Sequence, residues 1–364
     1  MAEGNGLVIG KFYPPHKGHA HLISEAAKQV NFLFVLVLGN RFESIEVDNR
    51  VKWLKEEFKD QRKIHFIGQK NDTPEDYNSR EIWKAHVEQM RLALETQFHG
   101  RIHKVFTSEA YGEELADWFD AENVVIDQSR SKFHVSGTAC RDQHAENWHN
   151  IIAPARQEMA TRIIVVGAES TGTTTLTEAL VDHYRPQFPE MGTVPEYGRI
   201  FTENWLGQLR FANPNATMED LKWTKEDFQH IAKSQQQMEN FAADSAPLVI
   251  ADTDVLATSI WEERYTDEPS RLLINNPLPR RDLYLITDDE GVDFEDDGYR
   301  DGEHLRERMT EEFKHLLTKR GHSWVLVCGD HERRMQTATS VIDQIIEQNT
   351  TFTSPTWARK TVLS

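Results

Sequence analysis

The same arrangement occurs twice in this chain: a run of apolar, β-prone residues ends at a glycine, and a helix-like pattern follows the turn. The first copy is Leu7-Val8-Ile9-Gly10, continuing through Lys11-Phe12-Tyr13-Pro14-Pro15-His16-Lys17-Gly18-His19. The second is Ile163-Ile164-Val165-Val166, continuing through Gly167-Ala168-Glu169-Ser170-Thr171-Gly172-Thr173-Thr174-Thr175. A buried strand that turns on glycine into a helix is the opening unit of an open α/β domain. Two such openings predict two domains, and 364 residues suffice for two separate cores. The boundary is expected near residues 154–160, where no Gly/Ser-rich linker intervenes, giving domains of 1–158 and 159–364.

Periodicity supplies the remaining elements. Leu22, Ile23, Ala26, Ala27 and Val30 recur at helical spacing, and residues 32–38 form an apolar run rich in Val and Phe, as a buried parallel strand requires. Trp83, Val87, Met90, Leu94 and Phe98 make a longer helical stripe, which packing in a core explains. Further strands are expected at 64–67, 104–107, 124–126, 283–286 and 324–327. Thr224 and Asp227 form a capping pair for a helix whose inner face is Phe228, Ile231, Ala232, Gln235, Met238 and Ala242. Residues 247–251 form a strand that delivers Asp252 to its C-terminal end.

An apolar content of 38% with nine Trp and eighteen Phe belongs to a packed globule, and no stretch is apolar enough to cross a bilayer. Two distant cysteines, Cys140 and Cys328, make neither a disulfide scaffold nor a Cys-based metal site, so the expected setting is a reducing cytoplasm. The formal charge of −18 argues against long nucleic acid as a partner, because backbone binding needs a positive footprint. Small phosphorylated ligands need only a local cluster of donors. Nothing in the sequence fixes an oligomeric state, and a homo-oligomer is compatible with it.

In the first opening, Gly10 and Gly18 allow close backbone approach, and Lys11, Phe12 and two prolines lie between them. The prolines are expected to hold that loop extended. His16 and His19 fall at a helix start, where free N–H groups favour phosphate. Adenylyl transfer asks a protein mainly for alignment and for stabilisation of charge on the transferring group. Residues 10–19 resemble the signature of the nucleotidyltransferase superfamily that includes nicotinamide mononucleotide adenylyltransferases. A second motif of that family follows at Val135-Ser136-Gly137-Thr138-Ala139-Cys140-Arg141. The resemblance implies a Rossmann-like domain in which Ser136, Thr138 and Arg141 clamp ATP phosphates and His16 and His19 contact the transferring group. A longer resemblance, through Asp48-Asn49-Arg50, the Trp83 helix and residues 127–141, is to the bacterial bifunctional NadR-type proteins. Trp83 is then a stacking partner for nicotinamide or a core tryptophan.

In the second opening, Gly167-x-x-x-x-Gly172-Thr173-Thr174 has the spacing of a phosphate-binding Walker A loop, with Thr173 where lysine is expected. Threonine cannot replace that charge, but the backbone cradle (Glu169, Ser170, Thr171, Thr175) and the Thr174 hydroxyl remain. Downstream, Pro195-Glu196-Tyr197-Gly198-Arg199, Asp252-Thr253-Asp254 and Asp296-Asp297-Gly298-Tyr299-Arg300 resemble, in order, segments of the NadR-type ribosylnicotinamide kinase domain. The resemblance implies a P-loop kinase-like α/β domain with Thr174 and Asp252 organising Mg²⁺. Asp254 or Glu196 would bind ribose or accept the 5′-hydroxyl proton, and Arg300, Arg306 and Arg308 would act as lid cations.

Together these motifs imply an enzyme of NAD salvage. It would use ATP to phosphorylate ribosylnicotinamide, and ATP again to adenylylate nicotinamide mononucleotide, giving NAD and pyrophosphate. Two rivals are an adenylyltransferase whose second domain only senses nucleotide, and a non-catalytic ligand-responsive interaction protein. The resemblance omits a helix-turn-helix segment, because the six residues before Leu7 cannot form one.

Overall fold

A computed structural model describes residues 3–76, 78–292 and 306–358. The chain divides into two compact units, Met1–Arg156 with Thr350–Ser364, and Gln157–Asn349. The division lies beside the expected boundary, but the final fifteen residues belong with the first unit, not the second as the sequence suggested. No described helix is long and apolar enough to cross a membrane.

The first unit contains β1 (Asn5–Gly10), α1 (Lys17–Ala27), β2 (Phe32–Gly39), α2 (Val47–Glu57), β3 (Ile64–Lys70) and α3 (Arg80–Glu95). It continues through β4 (Lys104–Thr107), α4 (Gly112–Phe119), β5 (Glu122–Val125), α5 (Gly137–Asp142) and α6 (Ala153–Met159). The five strands are all parallel in the order β3-β2-β1-β4-β5. Strand order reverses between β1 and β4, so a crevice opens at their carboxyl ends, beside Gly10 and Thr107. From the predicted stripe of α3, Val87, Met90 and Leu94 are buried against Leu36, Ile67 and Val105, while Trp83 and Phe98 stay partly exposed at its ends. The boundary between units falls inside α6, so a helix makes the connection.

The second unit contains β6 (Thr161–Gly167), α7 (Thr173–Tyr184), α8 (Tyr197–Ala212), α9 (Lys225–Ser245), β7 (Leu248–Asp252) and α10 (Val255–Thr266). After α11 (Leu272–Asn275) come β8 (Leu283–Thr287), α12 (Arg306–Lys319), β9 (Trp324–Val327) and α13 (His331–Thr350). Its parallel sheet has the order β7-β6-β8-β9, which sets Gly167 and Asp252 side by side at adjacent strand ends.

Helix α9 begins at the predicted capping box: the Thr224 amide donates to Asp227 Oδ2 at 2.9 Å, and the Asp227 amide to Thr224 Oγ1 at 3.4 Å. Trp223, just outside the cap, packs on Phe228 with ring centroids 5.1 Å apart, a hydrophobic staple that fixes how the chain enters the helix. The inner face runs as expected through Gln235 and then buries Glu239 and Ala243, with Met238 and Ala242 only half-buried. A search for apolar residues passes over a carboxylate. Glu239 is buried because Arg281 Nη1 lies 2.8 Å and Arg162 Nη1 3.5 Å from its Oε2. Removing one member of such a buried group strands the others without a partner. Glu239→Ala is therefore expected to destabilise the protein by about 3–5 kcal/mol. Urea denaturation followed in the second unit measures it, and a loss below ~1 kcal/mol would contradict this account.

Candidate functional site

In the first unit the two sequence motifs meet. The Tyr13 carbonyl accepts a hydrogen bond from Arg141 Nη1 at 2.6 Å, and the Arg50 and Arg141 guanidiniums lie 4.5 and 5.0 Å from the Tyr13 ring. A Cβ on Gly137 would stand 3.2 Å from that same carbonyl, so glycine lets the loop before α5 close on the loop after β1. The latter loop is not uniformly extended as expected: Phe12 has φ 49° and the Tyr13–Pro14 bond is cis. Buried Arg50 organises it by donating to the carbonyls of Lys11 at 3.0 Å and Ile45. The Tyr13 hydroxyl donates to the Thr353 carbonyl at 2.7 Å, leaving it to accept from the Ser44 amide and hydroxyl at 3.0 and 2.7 Å. The C-terminal segment thus helps to hold the signature loop, and Thr353 Oγ1 also donates to the Phe42 carbonyl at 2.7 Å.

His16 caps α1, and its ring stacks on His19 with centroids 3.6 Å apart. The His16 amide donates to His19 Nδ1 at 3.3 Å, which puts the proton of neutral His19 on Nε2. Burial, reinforced by Arg130 and Arg141, pushes His16 down to about 3. Burial and then the neighbouring His16 push His19 well below the usual range. Both rings are neutral at neutral pH. Positive charge beside these rings in the free protein comes from Arg130 and Arg141.

Arg130 escaped sequence reasoning. It lines a small pocket of about 80 Å³ with His16, His19, Ser136 and Gly137, and its Nη2 lies 2.9 Å from Glu109. The available signal was the Asp127-x-x-x-Ser131 turn around it, in which Asp127 Oδ1 accepts from the Ser131 amide and hydroxyl at 2.8 Å each. Ser136 caps α5 by accepting from the Ala139 amide at 3.0 Å, and Thr138 Oγ1 accepts from Arg141 Nη2 at 3.3 Å. Lys11 Nζ is 2.7 Å from Glu75.

Beside this pocket a cavity of about 740 Å³ opens over the crevice. Gly10, Lys11, Phe12 and His19 line one side, and Trp83 and His86 of α3 another. Trp83 therefore packs on the core and also faces a space large enough for a nucleotide. Trp357 of the C-terminal segment lines the cavity too, edge-on to Phe42 at 5.4 Å.

In the second unit, Ser170 (φ 56°) and Gly172 (φ 84°) turn the loop between β6 and α7. Thr174 Oγ1 donates to Asp252 Oδ2 at 2.5 Å. Burial pushes Asp252 up to about 6, against the opposing hydrogen bonds from Thr174 and Thr173. Thr171 Oγ1 donates to the Ala168 carbonyl at 2.7 Å and meets Thr287 Oγ1 at the same distance, bracing the loop from below. Glu169 lies 3.6 Å from Arg264, and Thr175 is exposed on α7.

The cations are distributed differently from the expectation. Arg306 Nη1 donates to the Ser170 carbonyl at 3.3 Å, which brings this predicted residue to the loop. Arg308 is exposed and does not line the cavity, and Arg300 lies outside the described residues. Arg334 was missed: it is buried and donates to the carbonyls of Thr171, Asp288 and Gly329 at 2.5, 2.8 and 2.8 Å. No described carboxylate lies within 4.0 Å of its nitrogens, and no local sequence signal marks an arginine near the start of α13.

Asp254 is a correction. Its Oδ1 caps α10 by accepting from the Leu256 and Ala257 amides at 2.9 and 3.2 Å. Its Oδ2 accepts from Arg281 Nε at 3.0 Å and the Tyr284 hydroxyl at 2.7 Å. Fully buried and so engaged, it does not line the cavity beside the phosphate loop. That cavity, about 140 Å³, has Thr173, Thr174, Asp252, Glu196 and Arg199 at its polar end. Trp223, Phe228, Trp261 and Tyr265 form an aromatic wall at the other, which the motif search did not register.

Two outcomes follow from this geometry. Ring NMR of the free protein is expected to find His16 titrating near 3 and His19 well below the usual imidazole range. Because the unfolded chain takes up these protons near pH 6.5, stability should fall as pH drops from there toward 3, and an ordinary midpoint for either ring would refute their burial. Deleting residues 350–364 is expected to lower the melting temperature of the first unit and reduce its ligand binding. A fragment ending at residue 156 should then need those residues restored, as the sequence division alone did not anticipate.

Residues 7–143 match the cytidylyltransferase-like family and residues 162–334 match the AAA domain family. The chain is 26% identical over 276 residues to the "Trifunctional NAD biosynthesis/regulator protein NadR" of Salmonella typhimurium, and 26% over 275 to the protein of that name from Escherichia coli. Each match covers 71% of this chain and 62% of the relative's length. Two solved structures of NadR protein, one in complex with NR and one with NAD and AMP-PNP, are 20% identical to it. Each covers 94% of this chain and 96% of its own, with TM-scores of 0.56 and 0.57, which establishes a shared fold. A Rossmann-like nucleotidyltransferase-type unit is thus followed in one chain by a P-loop α/β unit, the order in which the chain is similar to the NadR proteins.

Proposed function

We propose that the protein is a bifunctional enzyme of NAD salvage, working in the cytoplasm, whose first unit adenylylates nicotinamide mononucleotide and whose second phosphorylates ribosylnicotinamide, both with ATP. The observation that carries the first activity is the contact between the two motif loops through Arg141 and the Tyr13 carbonyl. It gathers Arg130, His16, His19 and Gly137 around one pocket at the strand-order reversal. An oxygen of the mononucleotide phosphate attacks the α-phosphorus of ATP, and the bond to the bridging oxygen breaks to release pyrophosphate. Arg130 and Arg141 offset charge developing on the transferring group, and His19 donates through Nε2–H. Ser136 and Thr138 offer hydroxyls to the triphosphate beside the amides of α5. Anions at this pocket raise the affinity of both imidazoles for protons.

In the second unit, the ribosylnicotinamide 5′-hydroxyl oxygen attacks the γ-phosphorus, its proton passes to Glu196, and ADP leaves. The aromatic wall suits the pyridinium ring, and Glu196 at the polar end suits the ribose. The Thr174 hydroxyl against a buried carboxylate fits an Mg²⁺ ion held largely by phosphate oxygens and water. When bound, that ion draws charge from the phosphates. Among the described residues no group of three or more His, Cys, Asp or Glu side chains could hold a metal by itself, consistent with an ion arriving with ATP. With Thr173 in the lysine position, Arg199 is the cavity cation placed to offset γ-phosphate charge, and Arg306 and Arg334 brace the loop from behind. That substitution also favours a second reading, in which the second unit binds ATP as a sensor without turnover.

Separate assays of the two half-reactions with Mg²⁺ and ATP test the proposal. His19→Ala should lower dinucleotide formation on the order of 10²-fold with the fold intact. Asp252→Asn should remove most turnover in mononucleotide formation, because the carboxylate beside the Thr174 hydroxyl is lost. ATP binding without any mononucleotide product would favour the sensor.

A further inference from the structure

A phosphate-binding loop of the kind between β6 and α7 ordinarily carries a lysine after its last glycine, and this one carries Thr173. Polyphosphate held by main-chain amides alone lacks a full compensating charge. The amides belong to peptides whose carbonyls point the opposite way, out of the back of the loop. Two of those carbonyls, in succession, accept hydrogen bonds from arginines. The Ser170 carbonyl accepts from Arg306 Nη1 at 3.3 Å, and the Thr171 carbonyl from Arg334 Nη1 at 2.5 Å.

The two arginines differ in what offsets their charge. Arg306 Nε lies 3.6 Å from an oxygen of Asp289. Arg334 is 4% exposed, and its nitrogens donate to the carbonyls of Thr171, Gly329, Asp288 and Glu290, with no ion pair among the described residues. The Asp288 carboxylate is turned to the Glu290 amide, from which it accepts at 2.7 Å, and Glu290 is exposed. Burial lowers the proton affinity of Arg334 against the pull of Asp288, yet a guanidinium keeps its charge. A buried charge partnered only by neutral dipoles is costly unless something negative binds nearby.

The Thr171 carbonyl shares a peptide with the amide of Gly172, which caps α7 with φ 84°. In a trans peptide these two groups point in opposite directions, so that N–H is directed away from the guanidinium. A hydrogen bond to the carbonyl polarises the peptide and makes its N–H a stronger donor. Only one peptide group separates the charge from the anion side of the loop, and protein screens it far less than water would.

We infer that Arg334 stands in for the absent lysine as a positioning residue: its charge reaches the polyphosphate of a bound nucleotide through the Thr171–Gly172 peptide rather than by contact. The inference rests on the reading of the second unit as a nucleotide-phosphate binder, and it holds whether that unit turns over or only senses. Arg199, which lines the cavity itself, is left to the transferring γ-phosphate.

The test follows MgATP binding in the full chain by hydrogen exchange of the amides of residues 168–176, which separates the second unit from the first. Arg334→Gln keeps an amide donor and removes the charge, and should weaken MgATP at least about 10-fold. Arg334→Lys keeps the charge but cannot reach four carbonyls. It should lower the stability of the second unit yet weaken MgATP by no more than about threefold. Adding Thr173→Lys to Arg334→Gln returns a charge to the loop and should recover most of the lost affinity. A loop brace without an electrostatic role predicts the reverse, a loss in both single variants and no recovery from the added lysine. That result, or a folded Arg334→Gln with undiminished affinity, would overturn the inference. Should Arg334→Gln fail to fold, the folded lysine variant decides alone: a loss of about tenfold or more there overturns the inference, and a smaller one upholds it. Loop protection by MgATP with no mononucleotide formed would sink the kinase reading and leave the inference standing. Absence of any protection in the folded parent would overturn both.

Discussion

The Tyr13 carbonyl is the single acceptor at which the two motif loops of the first unit meet. Arg141, 128 residues away in sequence, donates to it, and Gly137 must lack a side chain for the approach to be possible. Without that contact the imidazoles of α1 and the donors of α5 would sit on separate loops with no common pocket. The arrangement uses a main-chain atom rather than a charged side chain as its fixed point. The carboxyl edge of a parallel sheet provides the setting, because β1 and β4 diverge to their neighbours on opposite sides.

Charge is handled by opposite means in the second unit. Arg334 sits buried beneath the phosphate loop and is satisfied by main-chain carbonyls alone among the described residues. Asp252 is buried at the neighbouring strand end with its proton affinity raised. Each is costly in isolation, and each suits a bound, metal-associated polyanion that would complete both. Arg162, Glu239, Arg281 and Asp254 show the contrasting case, a buried group that closes on itself and needs no ligand.

How much of this the sequence displayed depended on what kind of signal each residue carried. Strands such as 32–38 and 163–166 were legible because a parallel sheet buries both faces and writes continuous apolar runs. The loops were legible because Gly10, Gly18, Gly167 and Gly172 sit at fixed offsets from those strands. Burial of charge was not: Glu239, Arg50 and Arg334 read as surface residues until their partners, remote in sequence, are in place. Asp254 failed in the reverse direction: Asp252, two residues earlier, faces the cavity, and the shared motif lent Asp254 a place there as a ribose or proton acceptor. The aromatic wall was hidden because Trp223 precedes α9 while Trp261 and Tyr265 lie on α10, and only Trp223 stands beside a recognisable cap.

The final segment has a consequence for the order in which the protein can be made. Phe352, Thr353 and Trp357 pack on the first unit, yet they follow the whole of the second in the chain. During synthesis the first sheet can assemble early, but its signature loop lacks the Thr353 carbonyl until the ribosome has passed residue 353. The second unit is in effect an insertion between two portions of the first, and domains interrupted in this way cannot finish folding strictly from the N-terminus. A ribosome that stalls within residues 157–349 therefore leaves behind a nascent first unit whose loop after β1 lacks the Thr353 contact.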